Sequence, residues 1–267
     1  MLVADEGGKY LISLLSGHIG RANEWCNKLA VRIGAMPVIT TATDVRGMFA
    51  VDIFATEHNM RIVNPVMIKD ISGRILNNEP VGITGNDKYK NLLKVTEERW
   101  NGQIKYTDNS NNEYESGVQI ITGKDDKIVF KRTLKLVPQE LAVGIGCKKG
   151  KSAHEIERAV KKTFDKAGLL LEAIAVVASV DRKADEAGII EFARKCKVPY
   201  KTYTPEYLRD VEGDFVSSAF VEEQIGVGNV CERSAGAASS GGEKLVGKTA
   251  DNGVTVAIYR VAQKNKE

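Results

Sequence analysis

A strand, an amphipathic helix and a second strand follow one another at the start of the chain, and this order constrains the fold most. Residues 9–15 (KYLISLL) and 36–40 (MPVIT) have the composition of buried strands. Between them, apolar residues recur at the i, i+3, i+4, i+7 spacing of one helical face, and Gly34 provides a stop. Such a unit is typical of a parallel sheet and predicts an α/β fold. The predicted buried face of the helix is Ala22, Trp25, Cys26, Leu29, Ala30 and Ile33.

The last part of the chain shows the same alternation of strands and helices. Ser152 and Glu155 have the spacing of a capping box at a helix start, and Asp181 is expected to cap a helix that reaches Cys196. A further helix is predicted over residues 229–238. The predicted strands are 140–146, 169–179 and 254–261, and the buried face of the helix after Ser152 is Ile156, Ala159, Val160, Phe164 and Ala167. These elements predict a second α/β domain.

The middle of the chain has a weaker pattern. Helices are predicted near residues 48–57 and 66–77, and the polar stretch 85–117 has a loop composition. Strands are predicted over 118–122 and 127–134, with GKDDK between them as a hairpin turn. The fold class is therefore α/β, with two α/β domains flanking a small α+β middle domain. The predicted bounds are 1–45 for the first domain, which looks incomplete, 46–136 for the middle domain and 137–267 for the last.

Composition excludes several classes of protein. A net charge of +3, with no dense basic patch interleaved with aromatic residues, argues against a nucleic-acid partner. The longest wholly apolar stretch, 173–178, is too short to span a bilayer, so no membrane partner is expected. The four cysteines lie far apart, which argues against a zinc site or a disulfide scaffold and favours reduced thiols in a cytoplasmic protein.

The segment SGHIG (residues 16–20) is the first candidate site, because it lies between the first predicted strand and its helix. Gly17 and Gly20 let backbone N–H groups approach a ligand, and a helix start favours an anion or a developing oxyanion. His18 can exchange protons near neutral pH. Ser16 is a weaker nucleophile candidate, since the segment lacks the GxSxG pattern. The alternative is an ordinary turn in which His18 is satisfied by hydrogen bonds.

The segment VITTATDVRG (residues 38–47) is the second candidate. It places Thr40, Thr41, Thr43 and Asp44 at the end of the second strand. Ligands of open α/β sheets bind beyond the carboxyl ends of the strands, so this segment is expected beside residues 16–20. The alternative is that Thr43 or Asp44 caps the following helix.

Two further glycine-rich segments lie in the last domain. GIGCKKGKS (residues 144–152) matches neither the Walker pattern nor GxGxxG, but Lys148 and Lys149 could hold carboxylates. The alternative is a solvated basic turn. GVGNVCERSA (residues 226–235) has glycines at a helix start and could bind an anion. Its alternative is that Glu232 simply suits the helix dipole.

Taken together, these segments resemble the CbiG family, the cobalt-precorrin-5A hydrolases of cobalamin biosynthesis. The matching stretches appear in family order between residues 8 and 262. They are LISLLSGHIGRAN, GAMPVITTATD, GIGCKKG, ASVDRKADEAGI, GVGNVCERSA and VTVAIYRVA. The resemblance implies opening of the δ-lactone of cobalt-precorrin-5A and loss of C20 with its methyl group as acetaldehyde, giving cobalt-precorrin-5B on the anaerobic route. Cobalt arrives inside the substrate, so no cofactor of the protein is expected, and other enzymes of the pathway are possible partners.

A polycarboxylate tetrapyrrole and a lactone carbonyl require cations, a base and an oxyanion site. On that chemistry we assign His18 as the base, Asp44 as its orienting partner, and Ser16 to the catalytic set through the 16–20 turn. The predicted substrate-binding set is Gly17, Gly20, Asn23, Thr41, Thr43, Gly146, Lys148, Lys149, Asn229 and Glu232.

Two departures from the family pattern leave an alternative function open. Arg21 stands where the family motif SGHxGGAN has a glycine, and family members carry a further N-terminal α/β segment, so the chain looks truncated or its start is misassigned. Residues 1–45 are therefore expected to be loosely ordered. The alternative function is a non-catalytic tetrapyrrole carrier similar to CobE of the aerobic pathway. A nucleotide-binding enzyme is disfavoured, because no fingerprint of that class is present.

Overall fold

The structure is a computed structural model that describes residues 1–14, 22–40, 47–213, 215 and 228–262. It divides into two compact units. Unit 1 comprises residues 1–121 and 126–138, and unit 2 comprises residues 122–125 and 139–267. The α/β fold class predicted from the sequence is confirmed, with three sheets and their helices. The domain bounds at residues 45 and 136 stay a prediction.

The first sheet of unit 1 has the order β1-β2-β3. Its elements are β1 (Leu2–Ala4), β2 (Tyr10–Ser13), α1 (Ala22–Ile33) and β3 (Met36–Ile39). β2 and β3 are parallel and α1 connects them, as the sequence predicts, whereas β1 is an additional antiparallel strand.

The predicted buried face of α1 is only partly correct. Ala22, Cys26 and Ala30 are buried, and the Cys26 thiol donates to the carbonyl oxygen of Leu11 at 2.9 Å. Trp25 and Ile33, in contrast, are 51% and 55% exposed. The reason is that three short strands cover one narrow stripe of the helix, and the Trp25 ring instead lies 5.9 Å from the Lys28 ammonium.

The second sheet of unit 1 has the order β4-β8-β7-β5-β6, with every neighbouring pair parallel except β4–β8. Its core contains the fully buried side chains of Phe49, Ile71, Ile83 and Leu93. The elements are α2 (Val51–Glu57), β4 (Met60–Ile62), α3 (Ile68–Leu76), β5 (Gly82–Thr84), α4 (Lys90–Arg99), β6 (Lys105–Tyr106), β7 (Ser116–Ile120) and β8 (Arg132–Pro138).

Two sequence predictions for this region are wrong. Residues 85–117 are not one loop, because they contain α4 and β6; α4 looks polar since it buries only Leu93 and Thr96. GKDDK is not a hairpin turn either, since β7 and β8 are parallel and the chain must cross back between them. The Phe130 side chain, 4% exposed, is buried within this connection. A Cβ on Gly117 would lie 2.5 Å from the Phe130 ring, so the ring fills the space that a side chain at position 117 would need.

In the described part of unit 2, the strands form one sheet of order β11-β10-β9-β13-β12. β9, β10 and β11 are parallel, and β13 and β12 continue the sheet in antiparallel pairing. The elements are β9 (Leu141–Cys147), α5 (Ala153–Lys166), β10 (Ile174–Val180), α6 (Ala187–Cys196), β11 (Tyr200–Tyr203), α7 (Pro205–Asp210), α8 (Val230–Ser239), β12 (Lys244–Asp251) and β13 (Val254–Arg260).

The capping box at the start of α5 is confirmed. The Glu155 N–H donates to Ser152 Oγ at 3.3 Å, and the Ser152 N–H donates to Glu155 Oε2 at 3.0 Å. Ala167, predicted to be buried, is exposed because it follows the last turn of α5. The strand predicted from residue 169 begins only at Ile174, after a short 3-10 turn. Asp181 likewise opens a 3-10 turn and does not cap α6, whose first residue is Ala187.

Helix α8 packs unusually close to β9. A Cβ on Gly144 would lie 1.8 Å from the Cys231 carbonyl oxygen, so only glycine allows this approach. The first turn of α8 thereby contacts the middle of the central strand.

Among the helices of the described ranges, none is long and apolar enough to cross a membrane.

Replacing Gly144 with alanine is predicted to destabilise unit 2. The added methyl group would overlap the backbone of α8, and overpacking of this kind costs about 3 kcal/mol in the free energy of unfolding. Gly236→Ala is the control: Gly236 lies in α8, and its Cβ would meet Val211 Cγ1 at an ordinary 3.5 Å. Urea denaturation measures the free energy of unfolding of both variants, and amide hydrogen exchange in β9 measures their local stability. Equal stability of the two variants would contradict the packing argument.

The first sheet is predicted to open at low free-energy cost. It has three short strands, the minimum for a stable small sheet, and it leaves Trp25 half exposed. Amides of Leu11, Ile12 and Ser13 should therefore exchange much faster than those of β9, which serve as the internal control. Protection of these amides equal to that of β9 in a monomer would refute the expected loose order.

Candidate functional site

The parallel strands of unit 2 end at one edge of the sheet, and this carboxyl edge is the candidate site of that unit. β9 ends at Cys147, β10 at Val180 and β11 at Tyr203. Ligands of open α/β sheets bind beyond such an edge. The start of α8 lies there too, since a Cβ on Gly146 would be 3.9 Å from Val230 Cβ. The structure therefore brings together the segments 144–152 and 228–235, which the sequence analysis treated as separate candidates.

Lys148 and Lys149 are exposed at this edge. The Lys148 N–H donates to the Gly253 carbonyl oxygen at 3.0 Å, and the Lys148 Cδ would lie 3.2 Å from a Cβ on Gly253. The aliphatic part of Lys148 therefore crosses the turn between β12 and β13. This position suits the binding of a carboxylate, and the role of both lysines stays a prediction.

Gly146 is needed for packing in addition to its predicted binding role. A Cβ at this position would lie 2.5 Å from Thr255 Oγ1, and that hydroxyl donates to the Gly146 carbonyl oxygen at 3.2 Å. β9 and β13 are thereby held together where the lysine segment leaves the sheet.

Asn229 and Glu232 are buried, with 1% and 2% of their surface exposed. Asn229 is the N-cap of α8, and its Oδ1 accepts the Glu232 N–H at 3.1 Å. Glu232 Oε1 accepts the Lys248 N–H at 2.5 Å, where the register of β12 shifts. Glu232 Oε2 lies 3.6 Å from Lys244 Nζ and has no hydrogen-bond partner among the described residues. These contacts favour a role in the fold, and the predicted substrate contacts of both residues stay untested.

The N-terminal candidate site lies mostly outside the described residues. Ser16, Gly17, His18, Gly20, Arg21, Thr41, Thr43 and Asp44 all fall there. Within the described part, β2 and β3 are neighbours that end side by side. Ser13 Oγ donates to Asn23 Oδ1 at 2.6 Å, and Thr40 Oγ1 donates to the Ser13 carbonyl oxygen at 2.5 Å. Asn23 and Thr40 thus both contact Ser13, at the strand ends from which the two predicted segments continue.

Sequence reasoning did not assign Lys183, Glu186 or Tyr200 to the carboxyl edge of unit 2. Glu186 Oε1 accepts the Gly150 N–H at 2.7 Å, and Glu186 Oε2 accepts a hydrogen bond from Lys183 Nζ at 2.9 Å. The Tyr200 hydroxyl donates to the Lys183 carbonyl oxygen at 2.7 Å. The signal was available, because the stretch ASVDRKADEAGI runs from the end of β10 into α6, but it was used only for the family resemblance and to place a strand and a helix.

The electrostatics of this edge favour binding over nucleophilic attack. Burial alone would raise the pKa of Glu186, but the hydrogen bonds from Lys183 and Gly150 outweigh it, and the pKa is lower than usual. Burial raises the pKa of Cys147, and it raises the pKa of Cys231 to about 11. Both thiols are therefore protonated near neutral pH and are poor nucleophiles. Within the described ranges, no group of three or more His, Cys, Asp and Glu side chains could hold a metal ion.

Three family models match consecutive parts of the chain. They are Cobalamin synthesis G N-terminal over residues 1–44, Cobalamin biosynthesis central region over residues 49–138, and Cobalamin synthesis G C-terminus over residues 141–259. These matched ranges include both strand edges described above.

Curated relatives match along most of the chain. The cobalt-precorrin-5A hydrolase of Salmonella typhimurium is 33% identical over 97% of this chain and 73% of the relative. The cobalt-precorrin-5A hydrolase of Priestia megaterium is 28% identical over 79% of this chain, which spans 58% of that relative's length. The solved structure of CobE, a protein of the cobalamin biosynthetic pathway, is 29% identical over 48% of this chain and 94% of CobE, with a TM-score of 0.44. On the sequence matches, the chain belongs to the CbiG family of cobalamin-biosynthesis proteins.

Proposed function

We propose that this protein is a cobalt-precorrin-5A hydrolase of anaerobic cobalamin biosynthesis. The observation that carries the proposal is its 33% identity, over 97% of its length, to the Salmonella typhimurium protein of that name. The exposed lysines at the carboxyl edge of unit 2 support it, because they suit a substrate that carries many carboxylates.

The proposed reaction is hydrolysis of a lactone followed by loss of acetaldehyde. Water adds to the lactone carbonyl carbon, the ring C–O bond breaks, and the carbonyl carbon becomes a carboxylate. The alkoxide left on C20 then collapses to a carbonyl as the bond from C20 to the macrocycle breaks, and the electron pair stays on the macrocycle. C20 and its methyl group leave as acetaldehyde, and the product is cobalt-precorrin-5B.

This reaction needs a base for the water and donors for the oxyanion. We assign the base to His18, its orientation to Asp44 and the oxyanion site to the turn 16–20. The ends of β2 and β3 support this assignment, since neighbouring parallel strands lead into the two segments that carry these residues. Cobalt is part of the substrate in this proposal, and the protein contributes no cofactor.

A cytoplasmic location is part of the same proposal. Cys26, Cys147, Cys196 and Cys231 form no disulfide in the described part of the chain, which suits a reducing compartment. Other enzymes that handle the tetrapyrrole before and after this step are the proposed protein partners.

Replacing His18 with glutamine is predicted to abolish turnover while preserving the fold. General acid–base catalysis contributes roughly 100- to 10,000-fold, so acetaldehyde release from cobalt-precorrin-5A should fall at least about 100-fold. His154→Gln is the matched control, because His154 is exposed on α5 in unit 2. Full activity of a folded His18→Gln protein would rule out the base assignment. The same assay separates the hydrolase from the carrier alternative, since a carrier shifts the corrinoid spectrum without releasing acetaldehyde.

Replacing Lys148 and Lys149 together with alanine is predicted to weaken the binding of cobalt-precorrin-5A. Two exposed charge pairs are lost, so Kd should rise about tenfold at low salt, and its dependence on salt should flatten. A double alanine variant of Lys161 and Lys166, which are exposed on α5, removes the same charge and is the control. Unchanged affinity of the Lys148→Ala/Lys149→Ala variant at low salt would contradict the binding role and favour the alternative of a solvated basic turn.

A further inference from the structure

The segment 147–151 is held from one side by the segment that follows β10. The Gly150 N–H reaches Glu186 Oε1 at 2.7 Å, and Glu186 is 9% exposed at its side chain. A Cβ on Gly188 would lie 2.0 Å from the Lys151 carbonyl oxygen, so the backbones of the two segments touch directly. Two independent contacts therefore join the lysine segment to the start of α6.

The conformation of the lysine segment depends on this support. Gly150 has a φ of +80°, in the left-handed region, and its turn reverses the chain between Lys149 and the Ser152 cap of α5. The turn leaves its N–H outside any strand ladder, so its acceptor comes from outside the segment. Glu186 provides that acceptor.

The Glu186 carboxylate is in turn fixed by its neighbours. Lys183 Nζ lies 2.9 Å from Glu186 Oε2, and the Lys183 side chain is only 14% exposed. The backbone of Lys183 is held by the Tyr200 hydroxyl at 2.7 Å. The Lys183 ammonium pairs with Glu186, and within the segment Lys151 Nζ pairs with Glu155 Oε1 at 2.7 Å, so the exposed cations of the segment that remain for a ligand are those of Lys148 and Lys149.

We propose that Glu186 is a positioning residue for substrate binding: it holds the 147–151 segment so that Lys148 and Lys149 face the carboxyl edge together. The inference rests on the proposed function for the identity of the ligand, a polycarboxylate tetrapyrrole. Glu186 itself does not contact the ligand. Its effect on affinity passes through the two lysines, which separates it from a residue that only stabilises the fold.

The test measures Kd for cobalt-precorrin-5A and amide hydrogen exchange of the 147–151 segment. Glu186→Ala should raise Kd about tenfold, leave kcat at saturating substrate within about twofold, and speed exchange of the Gly150 amide. Glu186→Gln keeps an oxygen for the Gly150 N–H but loses the charge pair with Lys183. Its Kd should therefore lie between that of the wild type and that of Glu186→Ala. Glu191→Ala is the control, since Glu191 is exposed on α6, and it should match the wild type.

The decisive comparison repeats Glu186→Ala in the Lys148→Ala/Lys149→Ala protein. If Glu186 acts through the lysines, its effect on Kd should fall below about twofold in that background. An undiminished effect there would overturn the inference, as would faster Gly150 exchange with unchanged Kd in the wild-type background. Urea denaturation checks that each variant is folded.

The outcome for the proposed function is read separately. Failure of the wild-type protein to bind cobalt-precorrin-5A or to release acetaldehyde from it would reject the proposed function. In that case the same variants are titrated with uroporphyrin, an octacarboxylate porphyrin, and the double-background comparison decides the positioning role on that probe. If the Lys148→Ala/Lys149→Ala protein binds cobalt-precorrin-5A and uroporphyrin as tightly as the wild type does, the inference is rejected and the proposed function is not.

Discussion

The fold of unit 2 depends on the contact between β9 and α8 at Gly144. β9 is the central strand, with the parallel strand β10 on one side and the antiparallel strand β13 on the other. With no side chain at Gly144, the Cys231 backbone rests directly on the strand. This approach brings the first turn of α8 to the carboxyl edge of the sheet. The lysine segment leaves β9 at the same edge, so one packing contact places both segments.

In two places in unit 2, a glutamate carboxylate accepts a hydrogen bond from a backbone N–H that lies outside the regular strand pairing. Glu232 accepts the Lys248 N–H where β12 departs from regular register, and Glu186 accepts the Gly150 N–H at a left-handed turn. A buried carboxylate is expensive unless it is paired, and removing one partner of a buried pair costs about 3–5 kcal/mol. Each carboxylate accordingly lies near a lysine, Lys244 at 3.6 Å and Lys183 at 2.9 Å.

Local signals in the sequence were sufficient for much of the fold. The capping box of Ser152 and Glu155 needs only three residues of spacing, and the strand–helix–strand unit at the start follows from periodicity. Non-local packing decided the failures. Trp25 lies on the apolar face of α1, but the small sheet beneath does not reach it. β8 runs parallel to β7, and Phe130 in the connection between them fills the space beside Gly82 and Gly117, a packing that no local pattern reveals.

The candidate site shows the same division between local and non-local information. Glycines and lysines after a strand predicted the position of Lys148 and Lys149, because strand ends in a parallel sheet share an edge. Glu186 was not assigned, since its partner Gly150 lies in a different connection and the pairing exists only after the sheet has formed. Glu186 lies close to Lys183 because a 3-10 turn follows β10. The sequence analysis had instead predicted a regular helix capped by Asp181 at this place. A site built from several strand ends therefore has residues that the sequence can place and others that only the assembled edge defines.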